Sequence, residues 1–141
     1  MSTLSLQHAL TLIDAALAEA RRQQYRPMGV VVVDAAGQVR ASAREDGATA
    51  LRLDIALGKA AAAVGMGASS RVLTQRAKDL PAFFGAVAAV AQQAFVPQTG
   101  AVLITDEAGT VLGAAGASGG TGDEDEAIVI AGIAAAGLRH A

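Results

Sequence analysis

The chain has no cysteine and no tryptophan, and its 141 residues hold only three phenylalanines, one tyrosine, three prolines and two histidines. Without cysteine there is no disulfide, no thiolate metal centre and no cysteine nucleophile. So few rings give no stacking platform for single-stranded nucleic acid. The 11 Lys and Arg residues are scattered among 13 Asp and Glu, with a mild excess at Arg21, Arg22 and Arg26, so no basic footprint for nucleic acid stands out. No uninterrupted apolar run reaches the roughly 20 residues needed to cross a bilayer. The opening MSTLSLQHAL lacks the basic start and apolar stretch of a signal peptide, and a cytoplasmic protein is expected.

What is present is a small-residue hydrophobic core. Hydrophobic residues make up 52% and charged residues 17%, a balance that excludes disorder. Lacking rings, the core must be built from Ala, Val, Leu and Ile, with close backbone approach replacing bulk. Mean hydropathy of +0.40 is high for a small monomer, and the excess is assigned to a subunit interface.

Residues 1–141 read as one domain. Leu6, Leu10, Ile13 and Leu17 recur at helical spacing, with Ala9, Ala16 and Ala20 filling the same face, so residues 5–24 are expected to form a helix capped by Ser5. Val30 to Val33 and Val39 to Ala43 flank Asp34-Ala35-Ala36-Gly37 as strand, turn and strand. Val102 to Thr105 and Val111 to Ala117 repeat the phrase around Asp106-Glu107-Ala108-Gly109. Between the hairpins, helices are expected at 51–65, from Ser69 or Ser70 to Lys78, and over Ala82 to Gln92, with a short strand at Phe95 to Pro97. A final helix reaches Leu138. From Ala127 it is apolar or glycine almost all round, which implies burial on every side, part of it against another subunit. The order α-β-β-α-α-(α)-β-β-α makes this an α+β fold, an antiparallel sheet flanked by helices.

Chemistry concentrates at the junction before that last helix. Thr121 and Glu124 fit a capping box, and Asp123, Glu124, Asp125 and Glu126 sit at the positive end of the helix dipole. Such a run serves as a solvated first turn or as a cation site. With no histidine beside it and no EF-hand spacing, no metal centre is expected. Asp125 is the acid free to turn inward, since Glu124 belongs to the box. Glycines at 113, 116, 119 and 120 bare the backbone to close approach. Lys59 is the other candidate: its helical neighbours Ile55, Ala62, Ala63 and Met66 are all apolar. It either snorkels to the rim or is buried against a carboxylate, and Asp125 is the expected partner. Gly58-Lys59-Ala60 is not a phosphate-binding Walker loop. Ser118 lacks the context of a hydrolase nucleophile. Arg44, Glu45 and Asp46 form a polar loop in which Arg44 could hold a carboxylate in a fork. His8 and His140 read as surface residues or as haem-iron ligands across an interface.

Jointly, Pro27-Met28, VVDAAGQV, Arg44 with Asp46-Gly47-Ala48, DIALGKA from Asp54 to Ala60, and GAAGASGGTGDEDEAIVIAGIAAAGL resemble the GlcG/HbpS family. That family comprises haem-degrading or haem-binding domains, also found at the C-terminus of some corrinoid adenosyltransferases. The resemblance runs nearly the whole chain. It implies helices flanking an antiparallel sheet, a homo-oligomer that is often octameric, and haem as a cofactor. The family's motif positions fall on Arg44, Asp46, Asp54, Lys59, Gly116, Ser118, Gly119 and Asp125. Two departures are visible: Ala62 stands where the helix motif carries Thr, and Gln98-Thr99-Gly100-Ala101 replaces a Gly-Gly-Val-Pro approach to the second hairpin.

Three functions remain open from the sequence. One is a small-ligand or haem-binding oligomer, with Arg44, Asp46, Gly116, Ser118 and Gly119 at the ligand. Another is an enzyme, a tautomerase, isomerase or hydrolase of an anionic metabolite, with Lys59, Asp54 and Asp125 as acid and base. The third is a structural or regulatory assembly.

Overall fold

A computed structural model describes residues 3–141 and shows five helices and five strands among them. Helix α1 (Leu6–Arg22) precedes the hairpin β1 (Gly29–Asp34) and β2 (Val39–Arg44). Three helices follow: α2 (Leu51–Met66), α3 (Ser70–Asp79) and α4 (Pro81–Val90). The second hairpin, β3 (Ala101–Thr105) and β4 (Val111–Ser118), leads into α5 (Gly122–Ala135) and a short β5 (Arg139–His140). The strands form one antiparallel sheet in the order β2-β1-β4-β3-β5.

Both hairpins turn by the same chemistry. The Asp34 carboxylate accepts from the N–H groups of Ala36 and Gln38, and Asp106 accepts from Ala108 and Thr110. Each turn closes on a glycine in the left-handed region, Gly37 at φ +78° and Gly109 at φ +84°. Alternate strand residues then feed two cores. Val30, Val32, Val102, Ile104, Ala115 and Ala117 pack with α1 and α5. Val31, Val33, Ala101, Leu103 and Ala114 pack with Ala56, Ala60 and Ala63 of α2. Covered on both faces, β1 and β3 read as continuous apolar runs.

Several expectations shift. The buried face of α1 is Ala9, Leu12, Ile13, Ala16 and Ala20, while Leu6 and Leu10 are exposed. That face is set by the close approach of α1 to α5, where a Cβ on Gly132 would lie 2.5 Å from the Leu12 carbonyl oxygen. His8 is half-buried, and its ring belongs to the helix cap: Nδ1 accepts from the Ser5 N–H while the Ser5 hydroxyl accepts from the His8 N–H. Residues 95–97 form no strand; the Val96 N–H instead docks on the Gly58 carbonyl of α2. The sheet also gains β5, whose residues 139 and 140 pair with Thr105 and Ile104. Finally, α5 is buried on one face, through Asp125, Ile128, Val129, Gly132 and Ile133, whereas Ala127, Ala134 and Ala135 are exposed. The exposed side is lined by alanine, which leaves little apolar area there within the single chain.

Candidate functional site

The site forms where β4 leaves the sheet and hands the chain to α5. On one face of the sheet α2 lies close against β4, because a Cβ on Gly116 would sit 2.4 Å from the Ala56 carbonyl oxygen. That contact carries Arg52, Ile55 and Lys59, spaced along one side of α2, to the end of the strand. From the other layer, the Thr121–Glu124 capping box fixes the first turn of α5 and leaves Asp125 to turn inward.

Lys59 and Asp125 meet there. Lys59 Nζ lies 3.0 Å from Asp125 Oδ2 and donates also to the Ala117 carbonyl at 3.0 Å. Asp125 Oδ1 accepts from the Gly120 N–H at 2.9 Å. The two residues are only 5% and 2% exposed. The ion pair thus joins the helical layers on opposite faces of the sheet. An ammonium has three donors and two are committed here. Burial pushes the Asp125 carboxyl above the ordinary carboxylate value, against the opposing pull of Lys59, the Gly120 N–H and Arg52. Arg52, half-buried, donates through Nη1 to the Ser118 hydroxyl at 3.3 Å. Arg52, Lys59, Ser118 and Asp125 line an open cavity of about 470 Å³, with Ile55 and Val96 as its apolar wall.

The sequence candidates therefore divide. Lys59, Asp125 and Ser118 share this cavity. Asp54 is exposed in the first turn of α2 and does not line it. Arg44 and Asp46 border a different open cavity, of about 490 Å³, with Arg21 and Glu45, and the Arg44 guanidinium donates to the Ala48 carbonyl of its own loop. Gly116 is covered by α2. Gly119, at φ +152°, is covered by Pro27 and Met28, whose Pro27 carbonyl oxygen would stand 2.3 Å from a Cβ. The bare backbone is filled by the chain itself. Arg52 was missed: its position seven residues before Lys59, two turns along one face, was the available signal, and the leucines around it masked it. Asp123 reaches the cavity edge but pairs with Arg71 of α3, which also holds Glu126 at 3.0 Å.

The histidines lie elsewhere. His8 lines a second cavity, of about 620 Å³, with Thr105, Leu112, Leu138 and Arg139, and His140 is exposed on β5. Among the described residues there is no group of three His, Cys, Asp or Glu side chains placed to hold a metal ion. Nor is any described helix long and apolar enough to cross a membrane.

No curated protein matches the chain. Solved structures do. The chain is similar to the PduOC:heme complex, with 28% identity over 98% of both chains and a TM-score of 0.86. It is similar to a double mutant of HbpS from Streptomyces reticuli, with 28% identity over 95% of this chain and 87% of that one, and a TM-score of 0.82. The ORFY protein of Klebsiella pneumoniae shares the fold at 23% identity, over 97% and 92% of the chains, with a TM-score of 0.86. The family model described as haem degrading protein HbpS-like matches residues 4–134. On that match, which takes in every residue of the Lys59 cavity, the chain belongs to the HbpS-like family.

Proposed function

We propose that this protein binds a small anionic ligand in the Lys59 cavity and works in the cytoplasm as a homo-oligomer. The observation that carries the reading is the pairing of two cations, Lys59 with an uncommitted N–H and Arg52 with most of its guanidinium free, around one cavity. A guanidinium fork and an ammonium recognise ionised oxygens through charge-assisted hydrogen bonds. Ser118 adds a hydroxyl, while Ile55 and Val96 offer an apolar body a place to rest. Calorimetric titration with acetate and sulfate tests it. Arg52→Ala is expected to weaken binding at least tenfold while leaving the thermal midpoint unchanged. Equal affinity in this variant refutes the assignment.

The oligomer is supported by α4, an uncharged helix that buries only Phe84 and exposes Phe83 and Val90, with Leu80 exposed at its N-cap. Contiguous exposed apolar surface of this kind marks an interaction face. A compact monomer in sedimentation removes this part of the reading.

Haem is the second reading, favoured by the family and by the heme-bound PduOC relative. Haem iron takes histidine, cysteinate, methionine or tyrosine ligands, and none of these lines the Lys59 cavity. That cavity fits the propionates of haem and does not fit its iron. The iron ligand on this reading is His8, which borders the larger cavity with Leu112 and Leu138 as apolar walls, Arg139 as a cation and the carboxylates Asp106 and Glu107 on its rim. Bound haem supplies redox chemistry at its iron, and His8 would set the iron's position. A saturable Soret shift on hemin titration, lost in His8→Ala, is the expected result. An unchanged spectrum removes haem.

A further inference from the structure

The Lys59 cavity holds its two cations beside a buried carboxylate, and that combination couples ligand to proton. We propose that the cavity takes up an oxyanion together with one proton, the proton being accepted from solvent by Asp125 as the anion settles between Lys59 and Arg52. The inference rests on the anion-binding reading above and adds a proton to it.

The geometry carries the argument. Lys59 is already neutralised by Asp125 at 3.0 Å, so the buried pair has no net charge and only Arg52 remains to balance an incoming anion. A bound oxyanion puts a second negative charge beside the same buried ammonium. Two anions sharing one site disfavour the ionised form of one of them, and the more deeply buried group yields. Asp125 is that group, at 2% exposure. Its two oxygens each accept one hydrogen bond, from Gly120 and from Lys59, which leaves lone pairs free to hold a proton. The upward pull of burial on this carboxyl acts in the same direction.

The surrounding groups leave Asp125 as the one that responds. From α2 it faces Lys59 and Arg52, with Asp54 exposed outside the cavity. From the turn after β4 it accepts from the Gly120 N–H, while the Ala117 carbonyl and the Ser118 hydroxyl are taken by Lys59 and Arg52. On α5 itself, Asp123 and Glu126 are held by Arg71 of α3, and Glu124 is held by the Thr121 N–H. Tyr25 and Arg26 border the Glu124 side of the turn in an adjoining cavity. Both histidines are absent from this set.

Titrating the full chain with sulfate at pH 5, 6 and 7, in two buffers of different ionisation heat, tests the coupling. Affinity is expected to rise as pH falls, by up to about tenfold per pH unit, with up to one proton taken up per sulfate. Asp125→Asn, which keeps an acceptor for Gly120, is expected to bind sulfate with a flat pH profile. The proton count in the unmodified protein stands independently of how that variant folds. Sulfate binding with equal affinity at every pH and no buffer-dependent heat overturns the coupling and leaves anion binding in place. A slope that survives in Asp125→Asn also overturns it. Failure to bind sulfate even at pH 5 overturns both.

Discussion

Replacing Lys59 by methionine leaves Asp125 ionised, buried and without its counter-ion. At the observed 3.0 Å separation, and an effective dielectric constant of about 20, the lost attraction is roughly 5–6 kcal/mol. Measured penalties for removing one member of a buried pair run lower, about 3–5 kcal/mol, because the orphaned partner relaxes or neutralises. Asp125 has an accessible way to neutralise. Burial already holds its carboxyl above the usual value with Lys59 present, and removal of the ammonium raises it further. A carboxyl whose folded value exceeds its unfolded value binds more protons in the native state. Stability therefore rises as pH falls through the folded value, and the gain is complete below the unfolded one. The Lys59→Met deficit is thus expected to be about 3–5 kcal/mol at pH 7 and smaller at pH 5, by urea unfolding followed through circular dichroism. Adding Asp125→Asn in the same chain is expected to recover part of the loss at pH 7, since the amide stays neutral and still accepts from Gly120. A variant as stable as the parent at pH 7, or a deficit that grows on acidification, refutes the reasoning.

Other substitutions probe the frame around the site. Gly116→Ala drives a methyl to within 2.4 Å of a backbone oxygen of α2 and is expected to cost at least roughly 1–3 kcal/mol in urea unfolding, with weaker anion binding as Arg52 and Lys59 shift. Ser70→Ala leaves the buried Ala101 N–H without the hydroxyl that meets it at 2.8 Å, and a loss of about 1–3 kcal/mol is expected in the same assay. Phe83→Glu places a charge on the exposed apolar side of α4 and is expected to reduce the sedimentation coefficient of the assembly. An unchanged coefficient removes α4 from the interface.

Much of the fold was legible because local chemistry and tertiary structure agree. The repeated D-x-A-G turns, the Ser5 cap and the Thr121–Glu124 box are each decided by atoms within five residues of one another. The choice of buried face on α1 was not legible, because Leu6 and Leu10 look like core until the close contact at Gly132 is known. Nor was β5, two residues long and defined only by its partner β3. In the site, Lys59 and Asp125 stood out as a charged residue among alanines and an acid left over from a cap. Whether the glycines were open or filled depended on residues far away in sequence, Ala56 for Gly116 and Pro27 for Gly119. Arg52 shares the helix face of Lys59, two turns earlier, but its hydrogen bond to Ser118 joins residues far apart in sequence.

The contact between Gly116 and Ala56 separates what can vary in this fold from what cannot. Neither residue has a rotamer to adjust, so at this contact helix and strand are indexed against each other by backbone atoms. A change of side chain at 52 or 98 alters the lining of the cavity, whereas Val96 packs on Gly58 of α2 and Thr99 meets Thr74 of α3 and Gly122 of α5. Family membership therefore fixes the architecture of this chain far more tightly than the lining of its cavity.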